Sequence, residues 1–123
     1  MKFTANRLLL YEAVKTVLKV VSKNKEIPEI CGVLIEADAE RGVITLTGTD
    51  IRTHIQRRLR QEHIEESGSI ILNPILSEML RLLDGETVTF QDDGQMICIS
   101  SENCKYTVPY LQAKAFPKLQ IPF

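Results

Sequence analysis

The sequence predicts an α+β fold with internal pseudo-twofold symmetry, in which two βαβββ units place two helices on one face of antiparallel sheet. Three observations predict it. Apolar residues switch from alternating to helical spacing at Asn6 and again at Asn73. Each helical stretch is followed by three alternating stretches separated by turn residues. The order strand, helix, three strands then recurs in the second half, and such a repeat lets two similar units pack their helices together over sheet.

Residues 1–5 alternate as a short strand, and Asn6 stands where the following helix needs an N-cap. Leu10, Ala13, Val14, Val17, Leu18 and Val21 recur at helical spacing, so that helix should run to about Ser22, before Ile27 and Pro28 force extended backbone. Residues 30–37 form an apolar strand ending in a turn at 38–42, and residues 43–47 alternate. Gly48 reads as a tight turn. Residues 51–60 then alternate, with Ile51, Thr53, Ile55 and Leu59 on one face and Arg52, His54, Gln56, Arg58 and Arg60 on the other. A polar connector, 61–68, leads into the second unit. Residues 69–72 are a strand; Asn73 and Pro74 supply an N-cap and a first-position proline; Ile75, Leu76, Met79, Leu80, Leu82 and Leu83 make a helical stripe that stops at Asp84 and Gly85. Strands follow at 87–91, 96–100 and 105–111, the first two joined by the hairpin turn of Asp93 and Gly94.

At 123 residues the chain is expected to be one domain, residues 1–123, with half-repeats at about 1–60 and 67–113. Its 44% hydrophobic and 25% charged residues belong to a packed globular chain, not a disordered one. No apolar run approaches the ~18 residues of a membrane span and the N-terminus begins a patterned strand, so a cytoplasmic location is expected. Cys31, Cys98 and Cys104 are odd in number, lack a C-x-x-C spacing and sit in apolar segments, which predicts buried thiols; no metal and no cofactor are expected.

A net charge of -1 excludes a protein drawn to nucleic acid by overall charge and leaves only an uneven distribution to do so. The distribution is uneven, with Arg7, Lys15, Lys19, Lys23 and Lys25 early, Arg52, Arg57, Arg58 and Arg60 clustered, and acids prominent at 62–66 and 86–93. Catalysis finds no convergent set. His54 lies on a basic strand face, His63 in the acidic connector, and no nucleophile elbow, zinc helix or phosphate loop occurs, so no catalytic residue is expected. Thr49 and Asp50 read as a turn stabilised by side-chain hydrogen bonds.

Five strings carry a family likeness: Met1-Lys2-Phe3-Thr4; Val20-Val21-Ser22-Lys23 leading to Ile27-Pro28; Leu46-Thr47-Gly48-Thr49-Asp50; Gly68-Ser69-Ile70; and Ala115-Phe116-Pro117-Lys118-Leu119. In this order and spacing, over essentially the whole chain, the sequence resembles the first domain of bacterial DNA polymerase III beta sliding clamps. The resemblance implies the DNA-clamp fold and a ring of two subunits, three domains each, with helices lining the hole and sheets outside. It implies a DNA replication processivity factor, a non-catalytic subunit that tethers the DNA polymerase III holoenzyme to its template. The implied partners are double-stranded DNA, other clamp domains or subunits, and, through other domains, the polymerase and clamp loader. Contacts to DNA should be to phosphate without base reading, and weak for an isolated domain.

Under this resemblance Arg7, Lys15 and Lys19, lying off the apolar stripe with Tyr11, face DNA. Lys23 and Lys25 continue the track, and Arg81 does the same on the second helix. Asn24 and Pro74 stand where clamps often carry arginine, so affinity below the family norm is expected. The resemblance also makes Cys104, Lys105, Tyr106, Thr107 and Val108 a subunit interface, an edge strand that pairs with the third domain of another subunit. An apolar edge strand is a pairing template by its own physics. Gln95, Asn103 and Ile75 replace basic residues that support this interface in the family, so its ion pairs are not carried over. The alternative is a stand-alone protein-interaction module that kept the domain and not the DNA-encircling ring.

Overall fold

The computed structural model describes residues 1–21, 23, 28–60 and 63–117. Strand β1 (Lys2–Asn6) runs directly into helix α1 (Arg7–Leu18). Asn6 caps it, its Oδ1 accepting from the Leu9 N–H at 3.0 Å, which satisfies one of the donors that a first turn leaves unpaired. The helix closes earlier than its apolar spacing predicts. At Val20 and Val21 the N–H groups donate to Val17 and Leu18 in tighter three-residue turns, as crowded β-branched side chains favour.

A 3-10 turn (Pro28–Ile30) leads to β2 (Val33–Asp38), β3 (Val43–Thr49) and β4 (His54–Arg60). Gly48, expected in a turn, lies inside β3 opposite Ile55. Packing explains it: a Cβ there would stand 2.2 Å from the Val17 carbonyl oxygen, so the glycine lets the end of α1 rest on the strand backbone. The turn itself falls at 50–53, where Asp50 Oδ1 accepts from the Arg52 and Thr53 N–H groups at 2.9 and 2.6 Å and Thr49 Oγ1 accepts from Ile51 N–H at 3.0 Å. These bonds hold Ile51 at φ +81°, an uncommon conformation for a β-branched residue.

The polar connector contains a short strand, β5 (Ile64–Glu66), before β6 (Gly68–Leu72). Helix α2 (Leu76–Leu82) begins after Pro74, which sits in an entry turn where Asn73 Oδ1 accepts from Ile75 N–H at 2.9 Å. Then follow β7 (Thr87–Asp92), β8 (Met96–Ser100) and β9 (Lys105–Pro109). The single strand expected at 105–111 is divided, and β10 (Leu111–Gln112) joins the other sheet.

The expected sheet is two five-stranded sheets, ordered β5-β1-β7-β8-β9 and β10-β6-β2-β3-β4. Each unit gives its first strand to the meander of the other: β1 pairs antiparallel with β7, and β6 with β2. Each short strand returns to its own unit, β5 to β1 and β10 to β6. A twisted sheet of ten strands tends to split or curl, and here it divides at the boundary the repeat provides.

One apolar core joins both sheets to the helices, drawing on Phe3, Phe90 and Ile99 from one sheet, Ile35, Leu46 and Ile70 from the other, and Leu10, Val14, Leu76 and Leu80 from the helices. The helices pack on each other, and α1 lies over β3 and β4. Their remaining faces point to solvent. The three cysteines, expected to be buried, are half-buried and free of disulfides.

Candidate nucleic-acid interface and assembly edge

Helical periodicity places Lys15 and Lys19 one turn apart on the side of α1 opposite its buried residues Leu10, Ala13, Val14 and Val17, and both are exposed. Lys23 is exposed beyond the helix, while Lys25 lies outside the described residues. Lys15 Nζ stands 5.2 Å from the centre of the Tyr11 ring, which orients the ammonium without neutralising it. Among the described residues none of these three lysines enters an ion pair.

The other two cations are placed differently. Arg7 is half-buried at the start of α1, with Nε donating to the Gly85 carbonyl at 2.8 Å and Nη1 to the Leu80 carbonyl at 3.1 Å. Its guanidinium therefore caps the end of α2, where unpaired carbonyls and the helix dipole favour a cation. Arg81 is exposed but pairs with Glu78 at 2.8 Å, and that hydrogen bond holds the Glu78 carboxyl below its ordinary range.

The face is not purely basic. Leu8, Leu9 and Leu82 are 55–60% exposed on it, and Glu12 shares the side of α1 that carries Lys15. One further cation escapes a reading of the helices alone. Arg57 stands opposite Leu46, in the strand phase that carries Ile55 and the buried Leu59, and so lies on the side of β4 that α1 covers, exposed at the strand's rim. The signal was its two-residue spacing from Ile55 and Leu59, which departs from the rest of that apolar phase only in charge.

The predicted interface residues form the other feature. Lys105, Tyr106, Thr107 and Val108 belong to β9, with Cys104 just before it, and β9 is the terminal strand of its sheet. Beside its end Ile75, Met79, Ile99, Val108 and Pro109 line an apolar cavity of about 190 Å³. Two carboxylates hold the strand at either end. Asp84, just past α2, accepts from the Ser101 hydroxyl and from Asn103 Nδ2 at 2.8 Å, fixing the turn into β9. Asp92 accepts from the Tyr110 hydroxyl at 2.7 Å, fixing the crossover out of it and raising the phenol to about 12.

The Ser101 and Asn103 hydrogen bonds hold the Asp84 carboxyl down at about 2. A depressed carboxyl contributes stability in full above its unfolded value of about 3.9 and loses it as pH falls through the folded one. Asp84→Ala is therefore expected to lower the melting temperature at neutral pH, and the gap to the parent protein should close between about pH 4 and pH 2. Thermal melts across that range check it; a gap of constant size would contradict the assignment.

His54, which the sequence places on a basic strand face, is exposed and bonded through Nδ1 to the buried Thr49 hydroxyl, and so helps lock the turn into β4. Among the described residues no group of three or more His, Cys, Asp or Glu side chains could hold a metal. Among the described residues no helix is long and apolar enough to cross a membrane.

Comparison with known proteins matches residues 1–120 to the family described as DNA polymerase III beta subunit, N-terminal domain. The chain is 31% identical over 128 residues to the beta sliding clamp of Bacillus subtilis (strain 168), covering 97% of the chain and 33% of that protein. To the beta sliding clamp of Micrococcus luteus it is 27% identical over 126 residues, covering 99% of the chain and 40% of that protein. Among solved structures, the DNA polymerase sliding clamp from Bacillus subtilis matches with a TM-score of 0.89 at 30% identity, over 98% of this chain and 34% of that one. A DNA polymerase III subunit beta sliding clamp from Pseudomonas aeruginosa, bound to griselimycin, matches with a TM-score of 0.90 at 23% identity, over 99% and 33% of the two chains, a likeness of fold. The chain thus spans between a third and two fifths of the length of these relatives.

Proposed function

Because the chain belongs to the DNA polymerase III beta subunit N-terminal domain family, we propose that it is a clamp domain of DNA replication whose helix pair faces duplex DNA inside a ring. The observation that carries this reading is the exposure of Lys15 and Lys19 on the side of α1 opposite its buried residues, and of Lys23 beyond the helix, with no acid paired to them among the described residues. Such ammonium groups on flexible stems contact phosphates without reading bases, which lets a ring slide. Lys25 extends the track in sequence. Arg7 and Arg81 belong to the same interface, each restrained by a partner within the protein. Leu8, Leu9, Glu12 and Glu78 keep the contact weak.

In this reading the domain does no chemistry. It serves a cytoplasmic polymerase holoenzyme, a nucleotidyltransferase, by preventing its diffusion from the template. The polymerase and clamp loader bind through other domains of the ring. Strand β9 supplies the subunit interface, with its outer N–H and C=O groups, which no strand among the described residues pairs, as template and the cavity beside Val108 and Pro109 as a receptor for a partner side chain. A stand-alone interaction module is less well supported, because the likeness to clamps runs through the whole chain and includes the helix pair.

Nonspecific duplex affinity of the isolated chain is expected to be on the order of 10⁻⁴ M or weaker at physiological salt. Reversing Lys15, Lys19, Lys23 and Lys25 to glutamate should weaken low-salt binding about tenfold or more, since each lost phosphate contact removes a released counterion. Fluorescence titration of a labelled duplex checks this, with a thermal melt to show that the fold survives. Unchanged low-salt binding would remove this surface from the function.

A further inference from the structure

Arginine is concentrated on one strand. Residues 52–60 hold four of the chain's seven arginines, Arg52, Arg57, Arg58 and Arg60, and none of its eight lysines. Asp50 is the one acid of residues 50–60, so four positive charges less one leave that stretch at +3 in a chain whose net charge is -1. Charge on the end strand of a sheet guards it against stray pairing, but lysine is the usual guard and this strand has none. The two phases of β4 separate the cations. Ile55, Arg57 and Leu59 turn toward α1 and the core, so His54, Gln56, Arg58 and Arg60 stand on the opposite, outer face of the sheet. Arg52 leads into them from the turn, and between His54 and Arg60 every exposed side chain is polar. Their cross-strand neighbours there, Thr47 opposite Gln56 and Thr45 opposite Arg58, are uncharged, and Gln56 Nε2 donates to the Thr47 hydroxyl at 3.4 Å. The acids nearby are engaged or set back. Asp50 Oδ1 accepts from the Arg52 and Thr53 N–H groups, and Asp38 pairs with Arg41 at 3.8 Å, with Glu40 exposed between them. Glu36 lies one strand further in, opposite Thr45, and lines a cavity with Lys114, which offsets it.

We propose that the outer face of β4 is a second nucleic-acid surface, which holds the phosphate backbone of a single strand. A folded protein partner needs apolar contacts at the centre of its footprint, and this strip exposes none. Guanidinium groups hold phosphate through paired, parallel hydrogen bonds, whereas the ammonium groups on α1 act as point charges. The two faces therefore suit different tasks, holding on the sheet and sliding on the helices. A flexible single strand follows the β-strand and meets Arg52, Arg58 and Arg60 in turn, while the phosphates of a rigid duplex wind away from such a row. No aromatic residue occurs between 50 and 60, so bases find no stacking platform and binding is indifferent to sequence. The proposal does not depend on the helix pair meeting duplex DNA.

Two ligands and two variants separate the surfaces. The arginine variant carries Arg52→Gln, Arg58→Gln and Arg60→Gln; the lysine variant has Lys15, Lys19, Lys23 and Lys25 reversed to glutamate. Each is titrated, beside the parent chain, against a labelled oligothymidylate and a labelled duplex in low salt. The arginine variant should bind the single strand about tenfold more weakly or worse and the duplex within about twofold of the parent, and the lysine variant should do the reverse. With three phosphates engaged, the single-strand affinity of the parent should fall with salt at a log-log slope of about -2. Arg58 has an interaction of its own within the protein, so a variant with Arg52→Gln and Arg60→Gln alone leaves it in place and should still lose about fivefold on the single strand. An arginine variant that is folded by circular dichroism and binds the single strand as the parent does overturns the proposal. So does one that loses both ligands equally, which is an effect of net charge, and so does polyglutamate that competes as well as the oligonucleotide at equal charge. A lysine variant that keeps its duplex affinity sinks the helix-face reading and leaves this one standing.

Discussion

Gly48→Ala is expected to destabilise the protein by about 3 kcal/mol or more, at the upper end of what overpacking a well-filled site costs. The added methyl would stand 2.2 Å from the Val17 carbonyl oxygen, 3.0 Å from its carbon and 3.2 Å from Val21 Cγ2. Two of those three atoms are backbone, within the closing turn of α1, and cannot swing aside as a side chain can. The end of the helix must lift from β3, and it is this end that carries Lys19 and leads to Lys23. Gly94→Ala provides the contrast. Nothing lies within 4 Å of its Cβ, so only the φ of +99° resists the substitution, at roughly 1–2 kcal/mol. Urea denaturation of the two variants checks the ranking; a Gly48 variant as stable as the Gly94 one would show that α1 does not rest on the strand backbone.

Phe90→Ala is expected to cost about 3–5 kcal/mol, the range for removing a fully buried aromatic side chain. Phe90 has no exposed surface and stacks on Phe3 with ring centroids 4.7 Å apart and planes 13° from parallel. The two residues stand directly opposite across β1 and β7, the junction at which the first unit lends its strand to the second. Removing either ring loosens the exchange that makes two half-units one core. The double variant Phe3→Ala with Phe90→Ala should be less destabilised than the sum of the singles, because a stacked pair adds roughly 0.5–1.5 kcal/mol that can be lost only once. Additive losses would mean that the stack contributes only buried area.

The elements were legible in the sequence because their apolar period changes so plainly at Asn6 and Asn73, and both asparagines act at the turns where the helices begin. The partnership of the strands was not. Alternation tells which side of a strand is buried and says nothing of which neighbour it finds, so the pairing of β1 with β7 and of β6 with β2 emerges only in three dimensions. Gly48 was misread for a related reason. A glycine between two apolar stretches looks like punctuation, and only the approach of Val17 shows that it is a contact.

The candidate site divides in the same way. Lys15 and Lys19 are four residues apart off a clear apolar stripe, so their side of the helix follows from spacing. Arg7 is about two turns earlier, but its partners Leu80 and Gly85 come from the distant half of the chain, and no local pattern announces them. Arg57 keeps apolar company along its strand and emerges beside α1 only because β4 lies at a sheet edge.

The central claim is that this helix face meets phosphate and not bases, and the salt dependence of duplex binding tests it most directly. Affinities for several duplexes of unrelated sequence should agree within about threefold at each salt concentration. With three to six cations engaged, the slope of log affinity against log salt should fall between about -2.7 and -5.4. A slope near zero, or a strong preference for one sequence, would contradict the account.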